Sequence, residues 1–152
     1  MNYEALLEES DLLGLIVKEK SLKYNNGRIK GNKIAIRKDI ETTAEKACVL
    51  AEELGHYYTA TADILDQSSV ANRKQEMHGR LVAYNRLVGL RGIVDAYLHH
   101  CQSLFETAEY LGVTEEFLND SIAHYKSKYG ICTQIDHYVI MFEPSIAVLE
   151  LV

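Results

Sequence analysis

Long apolar runs are missing from this chain of 152 residues, and no stretch approaches the roughly 20 apolar residues that a membrane-spanning helix needs. The N-terminus has neither the basic flank nor the apolar core of a secretion signal. Three cysteines, an odd number without paired zinc-ribbon spacing, argue against a disulfide framework or a zinc ribbon. We therefore expect reduced thiols in a cytoplasmic protein that has no membrane role.

An excess of basic residues is also missing. Sixteen Lys and Arg stand against twenty-two Asp and Glu, which gives a formal net charge of −6. This balance predicts poor nonspecific attraction to nucleic acid or anionic lipid, so neither is expected as a partner. With 47% apolar and 25% charged residues, the composition is that of one folded domain, or of a small domain with a helical appendage sharing its core.

The order of helix and strand signals in the first part of the chain predicts an α+β fold. An amphipathic helix over residues 3 to 13 precedes β-prone segments, whose turn signals predict a small, partly exposed sheet. Thr42 and Glu45 form a capping box that opens a helix through about Tyr58. After a loop and cap at residues 66 to 69, a second helix is expected. It covers residues 70 to 87, with Met77 and Tyr84 on its apolar stripe.

The last part of the chain predicts helices followed by strands. Short helices are expected at two places, residues 93 to 98 and residues 104 to 111. Residues 131 to 152 are β-prone and predict a terminal hairpin, with Pro144 between two strands. We therefore divide the chain into a core over residues 1–88 and a helical segment with terminal strands over residues 89–152, packed as one unit with the core.

A helix-turn-helix order within this segment permits a different class of protein, a DNA-binding regulator. The turn lies at residues 112 to 114, and the second helix would be the recognition helix. That helix begins with Glu115 and Glu116 and includes Asp120, whereas readers of bases and phosphates need cationic or amide side chains there. We treat direct DNA binding as a minor alternative and the segment as a packing unit or a protein dock.

Residues 51 to 56 read Ala-Glu-Glu-Leu-Gly-His and approximate the zinc-peptidase pattern His-Glu-x-x-His, with Glu52 in place of the first histidine. Glu52 and His56 are four residues apart, so on a helix they share a stripe and can reach one metal ion. Glu53 stands where the pattern has its general base. Spacing also allows the swapped roles, Glu53 as ligand and Glu52 as base. We favour Glu52 as ligand because the i, i+4 pair aims both side chains at one point.

A catalytic zinc needs a third protein ligand and keeps one position for water. We select Glu76, which follows His56 by twenty positions and lies beside the apolar stripe of the next helix. The alternative is a solvated Glu76 that pairs with Arg80 at i+4. Cys48 and His56 lie about 12 Å apart along a helix, too far to share one ion. We therefore expect Cys48 to fill the core.

Three segments resemble the ImmA/IrrE family of metallopeptidases, which is associated with phages and mobile elements. They are residues 48 to 59, residues 73 to 76 with Ala83 and Tyr84 downstream, and residues 108 to 118. The resemblance implies a compact, zincin-like α+β domain in which His56 and Glu76 are zinc ligands and Glu53 is the general base. Characterised relatives cut DNA-binding repressors, so the implied protein substrate is a repressor of a phage or mobile element.

Glu52 departs from the fullest pattern of that family, which has a histidine there. A carboxylate in this place makes the ion and its three ligands formally neutral, so the site should acidify water less and suit manganese as well as zinc. The expected function is a metal-dependent peptidase in which Glu53 deprotonates the attacking water and a sheet edge between Gly27 and Ile36 holds the substrate. The alternative is a catalytically silent module that binds a repressor without cutting it.

Overall fold

The computed structural model describes residues 1–60 and 69–152, except the side chains of 69–73 and 75. These residues form two compact units, Met1–Arg86 and Leu87–Val152, and a three-stranded sheet is found in each. The six helices and six strands seen in the described ranges confirm the α+β class. The predicted loop at residues 66 to 68 lies outside the described residues. No helix in the described ranges is both long and apolar enough to cross a membrane.

The first unit contains a small mixed sheet and the helices that accompany it. Its elements are α1 (Tyr3–Leu12), β1 (Ile16–Lys20), β2 (Gly27–Lys30), β3 (Lys33–Arg37), α2 (Thr43–Ala60) and α3 (Ser69–Leu87), the last of which ends just beyond the unit. The strand order is β1-β3-β2, with β1 parallel and β2 antiparallel to the central strand β3. Gly31, at φ 61°, makes the tight turn between β2 and β3 that the sequence predicts.

Alternation along the strands gives this sheet two unlike faces. Ile34 and Ile36 of β3 are 1% and 0% exposed, and Ile29 and Gly27 of β2 are their partners across the ladder. This face packs against α2, where Val49 approaches β2. The alternate residues of the same strands belong to the opposite face. The core of the unit therefore lies between the sheet and α2.

Helix α2 begins at the predicted capping box. The Thr42 hydroxyl oxygen accepts a hydrogen bond from the N–H of Glu45 at 3.2 Å, which satisfies one of the free donors of the first turn. The apolar face of the helix is buried, and Cys48, 6% exposed, fills the core as expected. Tyr58, the predicted end of this helix, is 37% exposed. It lies near the end of α2, where the Arg86 guanidinium stands 5.8 Å from its ring centroid.

Helix α3 covers the predicted range, but its buried stripe differs from the prediction. Met77 is 50% exposed, whereas Tyr84 is buried as expected. The buried positions include Gly79 and Ala83, which are four residues apart and share one side of the helix. Met77 precedes Gly79 by two residues and so points away from that side. The predicted stripe is therefore buried at Tyr84 but not at Met77, although the two are seven residues apart on one side of the helix.

The second unit is helical and then β-stranded. Its elements are α4 (Gly89–Leu98), α5 (Leu104–Leu111), α6 (Glu115–Tyr129), β4 (Cys132–Ile135), β5 (Tyr138–Met141) and β6 (Ala147–Glu150). Gly112, at φ 71°, and the Thr114 cap form the predicted turn between α5 and α6. The predicted hairpin is an antiparallel triple of strands, β4-β5-β6. The prediction was one strand short, because only two of the four residues of β4 are apolar. Pro144 lies between β5 and β6 as expected.

Candidate metal centre

Two helical glycines bring α2 and α3 close together beside the predicted ligands. A Cβ added to Gly55 would lie 2.9 Å from the carbonyl carbon of Gly79 and 3.0 Å from its Cα, closer than real side chains come to backbone. A Cβ added to Gly79 would lie 2.7 Å from Cε1 of the His56 ring. The crossing therefore places the His56 imidazole against α3 at Gly79. Gly79 follows Glu76 by three residues, so Glu76 and Gly79 are neighbours on the surface of the helix. Sequence reasoning missed this contact, because both glycines sit inside helical patterns and only their pairing in space gives them a role.

Glu53 extends from α2 towards the edge strand β2. Its side chain is buried, and the residue is 9% exposed. Its carboxyl oxygen Oε1 would lie 3.0 Å from a Cβ on Gly27, and Cγ1 of Val49 would lie 2.6 Å from the same point. Any side chain at position 27 would thus displace Val49 or the carboxyl group. Gly27 is the residue that leaves room for Glu53 against the sheet.

Burial and two neighbouring carboxylates raise the pKa of Glu53 from 4.5 to about 7. Loss of hydration contributes most, followed by the charge of Glu52 and then that of Glu76. Because Glu76 belongs to α3, its influence means that the two helices bring their carboxylates to one region. A carboxyl group with a pKa near 7 is able to accept and to release a proton at neutral pH.

The predicted ligands lie near each other but do not form a coordination shell. Glu76 is exposed, and its Oε1 is 3.5 Å from Nη2 of Arg80, the ion pair that the sequence allowed as an alternative. Glu52 and His56 are half-buried, and each already interacts with another group of the protein. Across residues 1–60 and 69–152, no three His, Cys, Asp or Glu side chains have the arrangement of a formed metal site.

The donor set in this region suits a divalent cation. The charges of Glu52 and Glu76 act on Glu53, and their combined negative field is one reason why Glu53 holds its proton up to about pH 7. Carboxylate oxygens and an imidazole nitrogen are ligands that zinc and manganese both accept. Glu52, His56 and Glu76 are therefore the residues that would hold an ion, with Glu53 beside it.

The edge strand β2 presents backbone groups next to this region. Arg37 donates its N–H to the carbonyl oxygen of Asn26 at 2.8 Å, which identifies these two residues as a hydrogen-bonded pair of the antiparallel ladder. The alternation of such pairs directs the N–H and C=O of Gly27 and Ile29 away from β3. The predicted template, Gly27 to Ile36, was too wide because β3 is the central strand. Only β2 contributes an edge here.

Comparison with known proteins adds no relative, since no family model, curated protein or solved structure matches the chain. Any functional assignment therefore depends on the residues and geometry of this region.

Proposed function

We propose that the protein is a metal-dependent endopeptidase, zincin-like and of the ImmA/IrrE type, that cuts a DNA-binding repressor. The observation that carries this proposal is the position of Glu53, a buried carboxyl group between the edge strand β2 and the crossing of α2 with α3. A peptidase of this kind needs a general base between its metal ligands and an extended substrate. The segments that resemble the ImmA/IrrE family support the same assignment.

In this proposal Glu52, His56 and Glu76 hold the ion, which is zinc or another divalent metal such as manganese. When bound, the ion would polarise the scissile carbonyl and lower the pKa of the attacking water. The helix crossing at Gly55 and Gly79 would fix the distance between the ligands on α2 and the ligand on α3. To bind the ion, Glu76 would have to leave its exposed ion pair with Arg80.

Glu53 moves the proton in the proposed reaction. Its carboxylate accepts a proton from water as the water oxygen attacks the carbonyl carbon of the peptide bond. The same carboxyl group donates that proton to the amide nitrogen as the C–N bond breaks, and Glu53 returns to its starting state. Burial raises the pKa of Glu53 in the metal-free protein, and the positive charge of a bound ion would lower it again, which favours the carboxylate that accepts the first proton.

Strand β2 would hold the substrate in an extended conformation. The outward N–H and C=O groups of Gly27 and Ile29 offer a peptide the pairing of an additional strand. Because Gly27 has no side chain, a peptide paired there would lie close to the Glu53 carboxyl group. Sequence preference would then come from side chains along the edge and not from the backbone contacts.

Metal content and cleavage of the repressor encoded next to the protein, measured on the same preparations, test the proposal. Wild type should carry a divalent metal and cut the repressor. Glu53→Gln should keep the metal and lower kcat/KM at least about 100-fold, the smallest effect typical of a lost general base. Glu8→Gln, the same chemical change at an exposed position of α1, should alter neither quantity.

The same measurements separate the competing assignments. With Glu52 as ligand, Glu52→Gln loses metal while Glu53→Gln retains it, and the swapped roles give the reverse. A wild-type protein that binds the repressor but contains no metal and cuts nothing is the silent interaction module, and that result contradicts the proposal. The proposal is also contradicted if the Glu52→Gln variant and the Glu53→Gln variant each still cut the repressor.

A further inference from the structure

Basic residues are concentrated in one short part of the chain. Residues 18 to 38 contain eight of the sixteen Lys and Arg and a single acidic residue, Glu19. The strand register collects most of them on the face opposite α2: Lys18 and Arg28 both pair with Ala35, from the two sides of β3. Side chains of paired residues project from the same face of a sheet.

This basic face forms a groove of about 450 Å³ across all three strands. Five cations line it: Lys18, Lys20, Arg28, Lys30 and Lys33. In the described part of the chain no ion pair joins any of the five to a carboxylate. Glu19, the acidic residue nearest in sequence, pairs with Lys46 of α2 at 2.5 Å on the other side of the sheet.

The like charges in this groove repel one another, and a bound anion would relieve that repulsion. Lys30 and Lys33 stand directly opposite each other, an arrangement that destabilises a sheet when both are charged. Residues two apart on a strand are about 6.6 Å apart and neighbouring strands about 4.8 Å apart, so the five cations occupy an area of roughly 10 by 13 Å. An approaching ligand meets this local field and not the net charge of the whole chain.

We propose that this groove binds the phosphate backbone of duplex DNA without regard to base sequence. Among the described lining residues every polar side chain is a hydrogen-bond donor, and a phosphodiester backbone offers acceptors. An extended peptide brings as many N–H donors as carbonyl acceptors, and these side chains can bond only the acceptors, which carry no net charge. No aromatic side chain appears among the described lining residues, so the groove offers single-stranded bases no stacking platform.

This inference is independent of the proposed peptidase activity, and it differs from the expectation drawn from the net charge. The formal charge of −6 averages a basic sheet face with acidic helices elsewhere in the chain. The alternation of Lys and Arg with other residues along β1, β2 and β3 was visible in the sequence. Which of these residues share a face became clear only from the parallel pairing of β1 with β3.

Fluorescence anisotropy with a labelled duplex of about 20 base pairs, in EDTA and over about 50 to 200 mM salt, tests the proposal. The wild type should bind with a log–log salt slope of about −3 to −4.5, because up to five cations each displace close to one counterion. The variant Lys18→Gln/Arg28→Gln/Lys30→Gln should lose at least about 10-fold in affinity and about 3 units of slope. A control, Lys74→Gln/Lys126→Gln/Lys128→Gln, makes the same change in net charge outside the groove and should stay within about 2-fold of the wild type.

Thermal unfolding of all three proteins checks that the groove variant folds, and Lys30→Gln alone serves if the triple variant does not. The proposal is overturned by equal losses in the groove and control variants, since that result indicates a general charge effect. Tighter binding to a single strand of the same length, to phosphatidylserine vesicles or to poly-glutamate than to the duplex at the same salt also overturns it. A preference for the duplex over all three supports it.

Discussion

The two faces of the N-terminal sheet share one backbone and differ in nearly everything else. The face towards α2 buries Ile34 and Ile36 and adjoins a buried carboxyl group, whereas the opposite face is an exposed groove lined by five cations. A period of two along each strand is enough to separate them. A chain with an acidic total can thus carry an acidic site and a basic surface on opposite faces of one sheet.

The largest expected effect comes from removing apolar volume on the helix side. Ile36→Ala should lower the free energy of unfolding by about 4 kcal/mol, because Ile36 is 0% exposed and its removal leaves a cavity. Ile16→Ala, on the groove side and 44% exposed, should cost less than about 1 kcal/mol. Urea unfolding of the two variants measures the difference. Equal losses would mean that the two faces are not packed as described.

The next effect concerns the carboxyl group on the helix side. The pKa of Glu53 is about 7 in the folded protein against an ordinary 4.5, so between these values the folded state binds more protons than the unfolded state. Stability should therefore fall as the pH rises from about 4.5 to about 7. Glu53→Gln removes this loss: in EDTA it should match the wild type near pH 4 and exceed it by at most about 3 kcal/mol at pH 8.

Denaturant unfolding over that pH range, with Glu8→Gln as the matched control, measures the contribution of Glu53. The control should follow the wild type, because Glu8 is exposed on α1. A wild type and a Glu53→Gln variant that keep a constant difference at every pH would refute the raised pKa. The measurement needs no metal and no substrate, so it examines the site apart from its proposed activity.

The smallest of the three effects tests the helix crossing that accompanies the acidic site. Gly55→Ala should destabilise the protein by about 2 kcal/mol, since the added methyl group meets the backbone of Gly79, even though alanine is the better helix former. Gly92→Ala in α4 is the control, because its added carbon meets only the flexible end of Leu111 at 3.3 Å. Its stability should be unchanged or slightly higher. A stable Gly55→Ala protein would show that the helices have room to separate.

Local signals in the sequence predicted most elements of the fold. The capping box at Thr42, the turn at Gly31 and the turn at residues 112 to 114 each mark an end or a turn that the structure has. Such signals depend only on neighbouring residues, so they can be identified from the sequence without knowledge of the fold. The prediction of a terminal hairpin fell short for the same reason, because a four-residue strand such as β4, with only two apolar residues, carries a weak local signal.

Features that depend on distant residues were not predictable. The pairing of β1 with β3, across the intervening β2, decides which lysines share a face, and no local pattern specifies it. The close approach of Gly55 to Gly79 joins two helices, and the residues around either glycine do not indicate it. For the candidate site, the sequence supplied the residue types and the helical spacing. The burial of Glu53 against Gly27 came from the packing of α2 on the sheet.

The separation of charge across the first unit also has a consequence for encounters in solution. Helices α1 and α2 pack together and carry most of the acidic residues of that unit, while the five cations of the groove project from the far side of the sheet. The unit is thus a permanent electric dipole. Before any contact forms, an approaching polyanion would exert a torque that turns the sheet towards it, so orientation and association rate would both weaken as added salt shortens the range of the field.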